Sequence, residues 1–156
     1  MRVARREDWP RMAELDRQLA RFEKLPEPGA DEAARLAEMI FGDDGRVEAL
    51  VAERGAVIEG MAIFWQGLGS SFRARPFLFL EDLVVSESAR SGGVGEALIR
   101  ELAREGVRRG VMRIEWSVLD WNVNAIRFYK RVGAGTQQDW IRYELKEDAM
   151  RRLAED

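Results

Sequence analysis

The chain contains neither cysteine nor histidine, and each absence removes a class of chemistry. Without cysteine there is no thiol nucleophile, and without histidine there is no Ser-His-Asp triad. Together the two absences exclude nearly every transition-metal site built on thiolate or imidazole, so we expect no bound metal. Any catalysis must come from carboxylates, tyrosine, lysine, hydroxyl groups or backbone amides, and a cysteinyl acyl intermediate is impossible.

Long apolar runs are also absent. No stretch approaches the roughly 18 apolar residues of a membrane span, and the first residues do not lead into the apolar region of a signal peptide. The net charge of −3 gives no basic surface typical of nucleic-acid binding, although it would not repel a small cationic substrate. We therefore expect a cytoplasmic protein that binds neither membranes nor nucleic acid.

With 156 residues, 46% of them hydrophobic and 34% charged, the chain suits one folded domain over residues 1–156. Apolar spacing and turn residues predict strands at residues 2–5, 47–53, 57–65, 77–85, 113–119 and 140–145. Helices are predicted from about Asp8 and at residues 31–41, 93–109 and 123–132, and residues 66–76 form a predicted connection. Because strands and helices alternate in the second half, we expect an α/β fold with a mixed sheet and helices on both faces.

The first predicted helix has one apolar face. Met12, Leu15, Leu19 and Phe22 recur at helical spacing, and we expect them to share that face.

Residues 77–95, FLFLEDLVVSESARSGGVG, are the most informative part of the chain, because an apolar strand runs into a glycine-rich turn that opens a helix. A helix start has backbone N–H groups without intrahelical partners and a partial positive charge, so it favours a phosphate group. Gly92, Gly93 and Gly95 lack the Cβ atoms that would keep an anion away, and Arg90 adds a cation. Taken alone, such a turn could equally be a tight connection. The P-loop and dinucleotide patterns do not fit it.

A second informative block is DWNVNAIRFYKRVGA at residues 120–134. On a structural interpretation, this block is a helix with an apolar face, capped by Asn122 or Asn124 and ended by Gly133. That interpretation explains the helix. It does not explain why the block comes directly after the strand that follows the phosphate-binding turn and its helix.

The pattern Arg90-x-x-Gly93-x-Gly95 resembles the coenzyme A pyrophosphate loop of the GNAT superfamily of N-acetyltransferases. The phrases Leu-Glu-Asp at 80–82, Trp-Asn at 121–122 and Phe-Tyr-Lys at 128–130 resemble its diamine, or spermidine/spermine, acetyltransferase branch, and the likeness covers most of the chain. The resemblance implies the GNAT fold, with a central twisted mixed sheet of about six to seven strands and about four helices. It also implies acetyl-CoA as the co-substrate.

The resemblance assigns roles at matching positions. Two sets of residues would hold the cofactor. The loop would hold the pyrophosphate through Arg90, Ser91, Gly92, Gly93, Val94, Gly95 and Glu96. A strand and a helix start would hold the pantetheine arm through Leu83, Val84, Val85, Asn122 and Ala125. Tyr129 would protonate the departing thiolate, and Glu81 would take the proton of the amine through water. The acceptor would be held by Phe22, Glu23, Glu81 and Asp82.

Each catalytic candidate has a structural alternative. Glu81 could be a salt-bridging residue at the edge of a strand, and Tyr129 could be a core residue whose hydroxyl finds a partner. Arg73 and Arg75 precede the fourth strand near the expected acceptor mouth, where they would repel a polycation and favour a shorter amine or a lysine analogue.

We therefore predict transfer of an acetyl group from acetyl-CoA to a primary amine of a small molecule (a diamine, polyamine or lysine-like amine) by direct attack. A non-catalytic acyl-CoA-binding regulatory module and an acetyltransferase of protein N-termini or lysines stay open as alternatives. The resemblance also implies a homodimer.

Overall fold

A five-stranded mixed sheet organises the part of the chain that the structure describes. The structure is a computed structural model, and it describes residues 1–43, 45–137 and 141–155. The strands are β1 (Arg2–Val3), β2 (Glu48–Arg54), β3 (Val57–Ser70), β4 (Arg75–Val85) and β5 (Ile114–Glu115). They lie side by side in chain order, and every neighbouring pair is antiparallel except β4 and β5, which are parallel.

Five α-helices are described, distributed over two compact units of the chain. The first unit, Met1–Ser117, holds the sheet with α1 (Trp9–Glu23), α2 (Ala30–Phe41) and α3 (Val94–Arg109). The second unit, Val118–Asp156, holds α4 (Val123–Arg131) and α5 (Glu147–Glu155). Among the described residues, none of the helices combines the length and apolar character that crossing a bilayer requires.

Each face of the sheet carries its own hydrophobic core. Alternate residues of a strand point to opposite faces, so Ala49 and Val51 of β2 pack with α1, while Leu50 and Ala52 pack with α3. The largest buried side chains from the two helices are Met12, Leu15, Leu98 and Leu102. The predicted mixed sheet with helices on both faces is thus confirmed for the first unit.

A β-bulge at Glu81 reverses this alternation within β4. Ile63 of β3 lies opposite Asp82, while the next residue, Phe64, lies opposite Leu80, so Glu81 is an extra residue without a cross-strand partner. Leu80 accordingly packs under α3 and Val84 packs under α1, although residues four apart in a regular strand share one face. The bulge therefore places Asp82 on the α1 face of the sheet.

An ion pair fixes the start of α1 to the edge of the sheet. The Arg2 guanidinium on β1 donates to both carboxylate oxygens of Asp8 at 2.6 and 2.8 Å, and the Arg5 amide donates to the same carboxylate at 2.7 Å. These donors hold the pKa of the buried Asp8 carboxyl below its usual range. Because α1 carries Asp16, Phe22 and Glu23, this anchor also positions part of the site described below.

The sequence predictions are correct for most elements and wrong at three places. Residues 113–119 form a strand only at Ile114–Glu115, because the parallel ladder with β4 ends at Phe79, two residues before the bulge residue Glu81. Trp140 lies outside the described residues, and residues 141–145 have no regular secondary structure, so five strands are described instead of six or seven. The predicted connection at residues 66–76 is largely hairpin, because pairing with β4 extends β3 to Ser70.

Helix ends also differ in part from the sequence predictions. Phe22 is 40% exposed rather than buried with Met12 and Leu15, because the last turn of α1 passes the hydrophobic core. The helix α5 was not predicted, although Met150 and Leu153 of this segment are spaced three residues apart.

Gly60 on β3 allows α3 to approach the sheet at its first turns. A Cβ atom at this position would lie 2.7 Å from the Val84 carbonyl oxygen, 3.1 Å from Val94 Cγ1 and 3.2 Å from Leu98 Cδ1. A glycine inside a strand often marks such a close approach. Gly60 therefore leaves room for the first turns of α3, which follow the glycine-rich turn, to pack closely on the sheet.

We expect Gly60→Ala to lower the free energy of unfolding by about 1–3 kcal/mol, because the added methyl group forces the N-terminal turns of α3 off the sheet. Urea denaturation would measure the change. Gly135→Ala is the matched control, since a Cβ there meets nothing within 4 Å. Equal stability of the two variants would show that α3 does not depend on Gly60.

Candidate active site

The turn between β4 and α3 has the backbone of an anion cradle. Ser91 and Gly93 have φ angles of 65° and 79°, in the left-handed region, and Gly93 is the N-cap of α3. Glycine adopts this conformation without strain, whereas a serine there costs about 1–2 kcal/mol. Ser91 therefore adopts, at a small cost, the left-handed conformation that this turn requires.

The first turn of α3 presents its amides without a side-chain cap. No side chain of the described residues accepts a hydrogen bond at the Gly93 cap, and Val94 is buried against the sheet. The carboxylate of Glu96 pairs with Arg100 at 2.7 Å, so Glu96 offers the cradle its backbone amide rather than its charge. The helix start therefore combines bare amides with a positive dipole end, which suits a phosphate group.

The Arg90 guanidinium lies beside the turn and over the end of α1. Its carbon is 5.7 Å from the centre of the Phe22 ring, within cation–π range, and it makes a long ion pair of 3.9 Å with Glu87. This contact joins the predicted cofactor loop to the predicted acceptor residue Phe22.

The last part of β4 directs alternate backbone groups away from β3. The Ser86 amide donates to the Glu59 carbonyl oxygen of β3 at 2.8 Å, so the amides and carbonyls of Leu83 and Val85 point to the opposite edge. Among the described residues, β5 pairs with β4 only at Leu78 and Phe79, short of this position. Leu83 and Val85 thus have the orientation that pairing with an extended ligand requires. Val84 instead turns its backbone to β3 and its side chain into the core.

Carboxylates from α1 and β4 converge on the bulge. Burial raises the pKa of Asp82 from its ordinary value of 3.8 to about 7, and repulsion from Asp16, Glu81 and Glu23 adds to that increase. Burial also raises the pKa of Asp16. Because several carboxylates compete for one region, the region favours a cation or a shared proton.

Glu81 has different surroundings from its neighbour Asp82. Its side chain is exposed, and its Oε2 accepts a hydrogen bond from the indole Nε1 of Trp65 at 3.1 Å. Trp65 stacks on Phe79, with ring centres 5.3 Å apart. The two adjacent carboxyls therefore differ in exposure and in hydrogen-bond partner, which is the usual basis for different chemical roles.

Three predicted site residues lie at the N-cap of α4 or within this helix, in the second unit. Asn122 caps this helix, its Oδ1 accepting from the Ala125 amide at 3.2 Å, as the structural interpretation of this block proposed. Tyr129 is half-buried, and burial raises the pKa of its phenol to about 12. The phenol therefore keeps its proton at neutral pH.

The position of Arg75 does not support the expected repulsion of polycations. Its guanidinium donates to the carbonyl oxygens of Gly110 and Val111, at 3.0 and 3.2 Å, just beyond the C-terminal end of α3. Arg75 lies seven residues before Asp82 along β4, at the far end of that strand.

Three further residues shape this site and were not predicted from the sequence. Asp16 carries no motif, and only the packing of α1 on the sheet brings its charge to Asp82. Trp65 reaches Glu81 because β3 and β4 are paired. Gly60 had a detectable signal, since a glycine inside an apolar strand pattern indicates close packing.

Comparison with known proteins identifies the family. Residues 9–134 match the model of the acetyltransferase (GNAT) family, so the chain belongs to this family and is an acetyltransferase. The predicted family and the predicted GNAT fold are confirmed.

Curated relatives include acetyltransferases of amino acids. A thialysine N-epsilon-acetyltransferase from Mus musculus is 29% identical over 99% of this chain and 96% of its own length. An L-ornithine N5-acetyltransferase from Arabidopsis thaliana is 37% identical over 97 residues, which are 62% of this chain and 42% of that relative.

Solved structures show the same fold at low identity. An integron cassette protein from the mobile metagenome of V. cholerae has a TM-score of 0.82 and 21% identity, covering 99% of this chain and 96% of its own. An aminoglycoside acetyltransferase from an uncultured soil metagenomic sample has a TM-score of 0.74 and 18% identity, covering 92% and 94%.

We expect Asp82→Asn to stabilise the protein more at pH 8 than at pH 5. The folded state binds a proton on Asp82 that the unfolded state releases above about pH 4, so the wild type loses stability as pH rises from about 4 to 7. Removing the charge should raise the free energy of unfolding at pH 8 by roughly 2 kcal/mol.

Urea denaturation at both pH values measures this difference. The control Glu144→Gln removes one exposed carboxylate and should change stability by less than about 0.5 kcal/mol. A stability difference that does not depend on pH would contradict the raised pKa of Asp82.

Proposed function

We propose that this acetyltransferase transfers an acetyl group from acetyl-CoA to a primary amine of a small molecule. The observation that carries the proposal is the continuity of two sites within the first unit. Arg90 of the anion cradle lies over Phe22, the next residue Glu23 repels the charge of Asp82, and Asp82 follows the bulge residue Glu81. An anion-binding turn and a cation-binding carboxylate cluster are what a CoA thioester and an ammonium group need.

The cradle fits the diphosphate of acetyl-CoA. Residues 90–96 would hold that diphosphate through the amides of the turn and of the first α3 turn, with the Arg90 charge beside them. Leu83 and Val85 would pair with the pantetheine arm as an added strand pairs with a sheet edge. Asn122 and Ala125 at the start of α4 complete the proposed cofactor residues.

The carboxylates would bind the amine and remove its proton. A free alkylamine has a pKa near 10.4 and arrives as a cation. Asp82, Glu23 and Asp16 would hold this cation, with Phe22 against its apolar part, and Glu81 would accept one proton through a water molecule. The neutral nitrogen then attacks the acetyl carbon, and the carbon–sulfur bond breaks.

Tyr129 would protonate the departing thiolate. Its phenol keeps its proton at neutral pH, because burial raises its pKa to about 12, and a proton donor must remain protonated until transfer. After the attack, the nitrogen loses its second proton, which restores the proton that Tyr129 has given to the thiolate. The ammonium group and acetyl-CoA thus yield the amide, the free CoA thiol and one released proton. The family match extends from residue 9 to 134 and thus includes α4 with Tyr129, which supports one functional domain.

The names of the relatives support a substrate class for the proposal. The mouse and Arabidopsis proteins are named for acetylating a side-chain amine of an amino acid. We propose the same class here, a lysine-like or ornithine-like amine, with diamines and polyamines as the next class. Arg75 is held at the end of α3, so it gives no reason to exclude longer cations.

We also propose a homodimer. Ile141, Tyr143 and Leu145 are exposed, and so are Met150 and Leu153 on α5. Apolar side chains at this density on a short segment are typical of a contact between subunits.

A panel of amines tests the proposed activity. We expect CoA release from acetyl-CoA with thialysine, ornithine or a diamine, and little release with a peptide that offers only its N-terminus. A thiol reagent measures the CoA. Turnover on the peptide alone would favour the protein acetyltransferase, and no turnover on any amine would reject the proposal.

We expect Tyr129→Phe to lower kcat by about 10- to 100-fold, because the thiolate then leaves without a proton donor. The dissociation constant of acetyl-CoA, measured by calorimetry, should change by less than about twofold. The chain has only two tyrosines, so Tyr143→Phe, at an exposed position, is the matched control. A fully active Tyr129→Phe variant would exclude the phenol as the acid.

A further inference from the structure

The indole N–H of Trp65 is aimed at the carboxylate of the bulge residue Glu81. The donor and acceptor atoms are 3.1 Å apart, and they come from neighbouring strands, 16 residues apart in sequence. Hydrogen bonds to a charged acceptor are stronger than those between neutral groups. The contact therefore restrains a side chain that is otherwise exposed.

Three neighbours fix the orientation of the Trp65 ring. Phe79 stacks on it at 5.3 Å, and Phe77 meets it edge-on at 5.6 Å. Gly67 makes room for this arrangement, because a Cβ there would lie 2.4 Å from the Phe77 ring and 2.8 Å from the Trp65 ring. The direction of the indole N–H is thus set by packing, independently of any ligand.

Glu81 needs this restraint because of where it lies. As the extra residue of the bulge, it has no cross-strand partner, and a glutamate side chain has three rotatable bonds. An exposed carboxylate without a fixed donor samples several rotamers, only some of which can reach a substrate nitrogen or its water. A base must be within hydrogen-bond reach of the proton it removes.

We propose that Trp65 is a positioning residue for the acetyl transfer, holding the Glu81 carboxylate in the orientation from which it accepts the proton of the amine. This inference rests on the proposed function, in which Glu81 is the base. Trp65 acts through Glu81 and touches neither the thioester nor the cradle, so its loss should reduce kcat and leave acetyl-CoA binding intact.

The variant Trp65→Phe removes the N–H and keeps an aromatic ring on Phe79. We expect kcat to fall by about 5- to 20-fold, with less than about a twofold change in the dissociation constant of acetyl-CoA. Trp9→Phe is the matched control, because it makes the same change at an indole that packs edge-on against Phe41 rather than on the Trp65 ring, and its kcat should stay within about twofold. An equal loss in both variants would assign the effect to aromatic packing and overturn the proposal.

A double-mutant cycle separates positioning from a general structural effect. In a Glu81→Gln background, Trp65→Phe should cause almost no further loss of kcat, because the residue acts through the carboxylate that is already absent. Losses that multiply in the double variant would overturn the proposal, and so would wild-type kcat in Trp65→Phe.

The contact can also be tested without turnover. The indole ¹H–¹⁵N resonance of Trp65, assigned by its loss in Trp65→Phe, should shift on Glu81→Gln substitution and stay in place on Glu144→Gln substitution. An unchanged resonance would overturn the proposal even if no amine is acetylated. A shifted resonance in an enzyme that is inactive on every amine would instead count against the proposed function.

Discussion

The β-bulge at Glu81 is the constraint on which the rest of the site depends. One extra residue in β4 reverses the alternation of side chains, so that Leu80 packs under α3 and Val84 under α1. The same reversal places Asp82 on the α1 face of the sheet, where the acidic residues of α1 repel its charge, and β5 pairs with β4 only before the bulge, at two positions among the described residues. A single extra residue in the ladder thus brings the carboxylates together, and it lies where β4 is no longer paired with β5.

The amino-acid sequence predicts those features of the site that are local along the chain. The strand, turn and helix at residues 77–109 could be predicted because their signals are adjacent: an apolar run, glycines, and helical spacing of apolar residues. The cap at Asn122 has the same local character. Asp16 and Trp65 could not be predicted, because each reaches the bulge through packing or pairing with an element distant in sequence. The bulge itself cannot be detected in the residues FLFLEDLVV. Both faces of this strand are apolar and buried, so there is no regular alternation of apolar and polar residues that an extra residue would interrupt.

The strand lengths predicted from local propensity are wrong where pairing between strands overrides that propensity. The Gly- and Ser-containing residues 66–70 look like a loop, yet they extend β3 because β4 offers a continuous antiparallel ladder. Conversely, the apolar segment after Arg113 looks like a full strand, but its pairing with β4 ends at Phe79. In both cases the length of the strand is set by how far its neighbour pairs with it.

The proximity of the carboxylates is unfavourable in the free protein and favourable once a cation is bound. Asp82 is half-buried near three other acids, so its ionisation near neutral pH costs free energy that a bound ammonium group returns. In the proposed reaction, that arrangement would attract the amine in its charged, unreactive form, and one carboxyl would then take a proton. Glu81 suits this proposed role because it is exposed to water and held by the Trp65 indole, whereas Asp82 is half-buried. The proposal therefore divides binding and proton removal between two adjacent residues, which the bulge gives different surroundings.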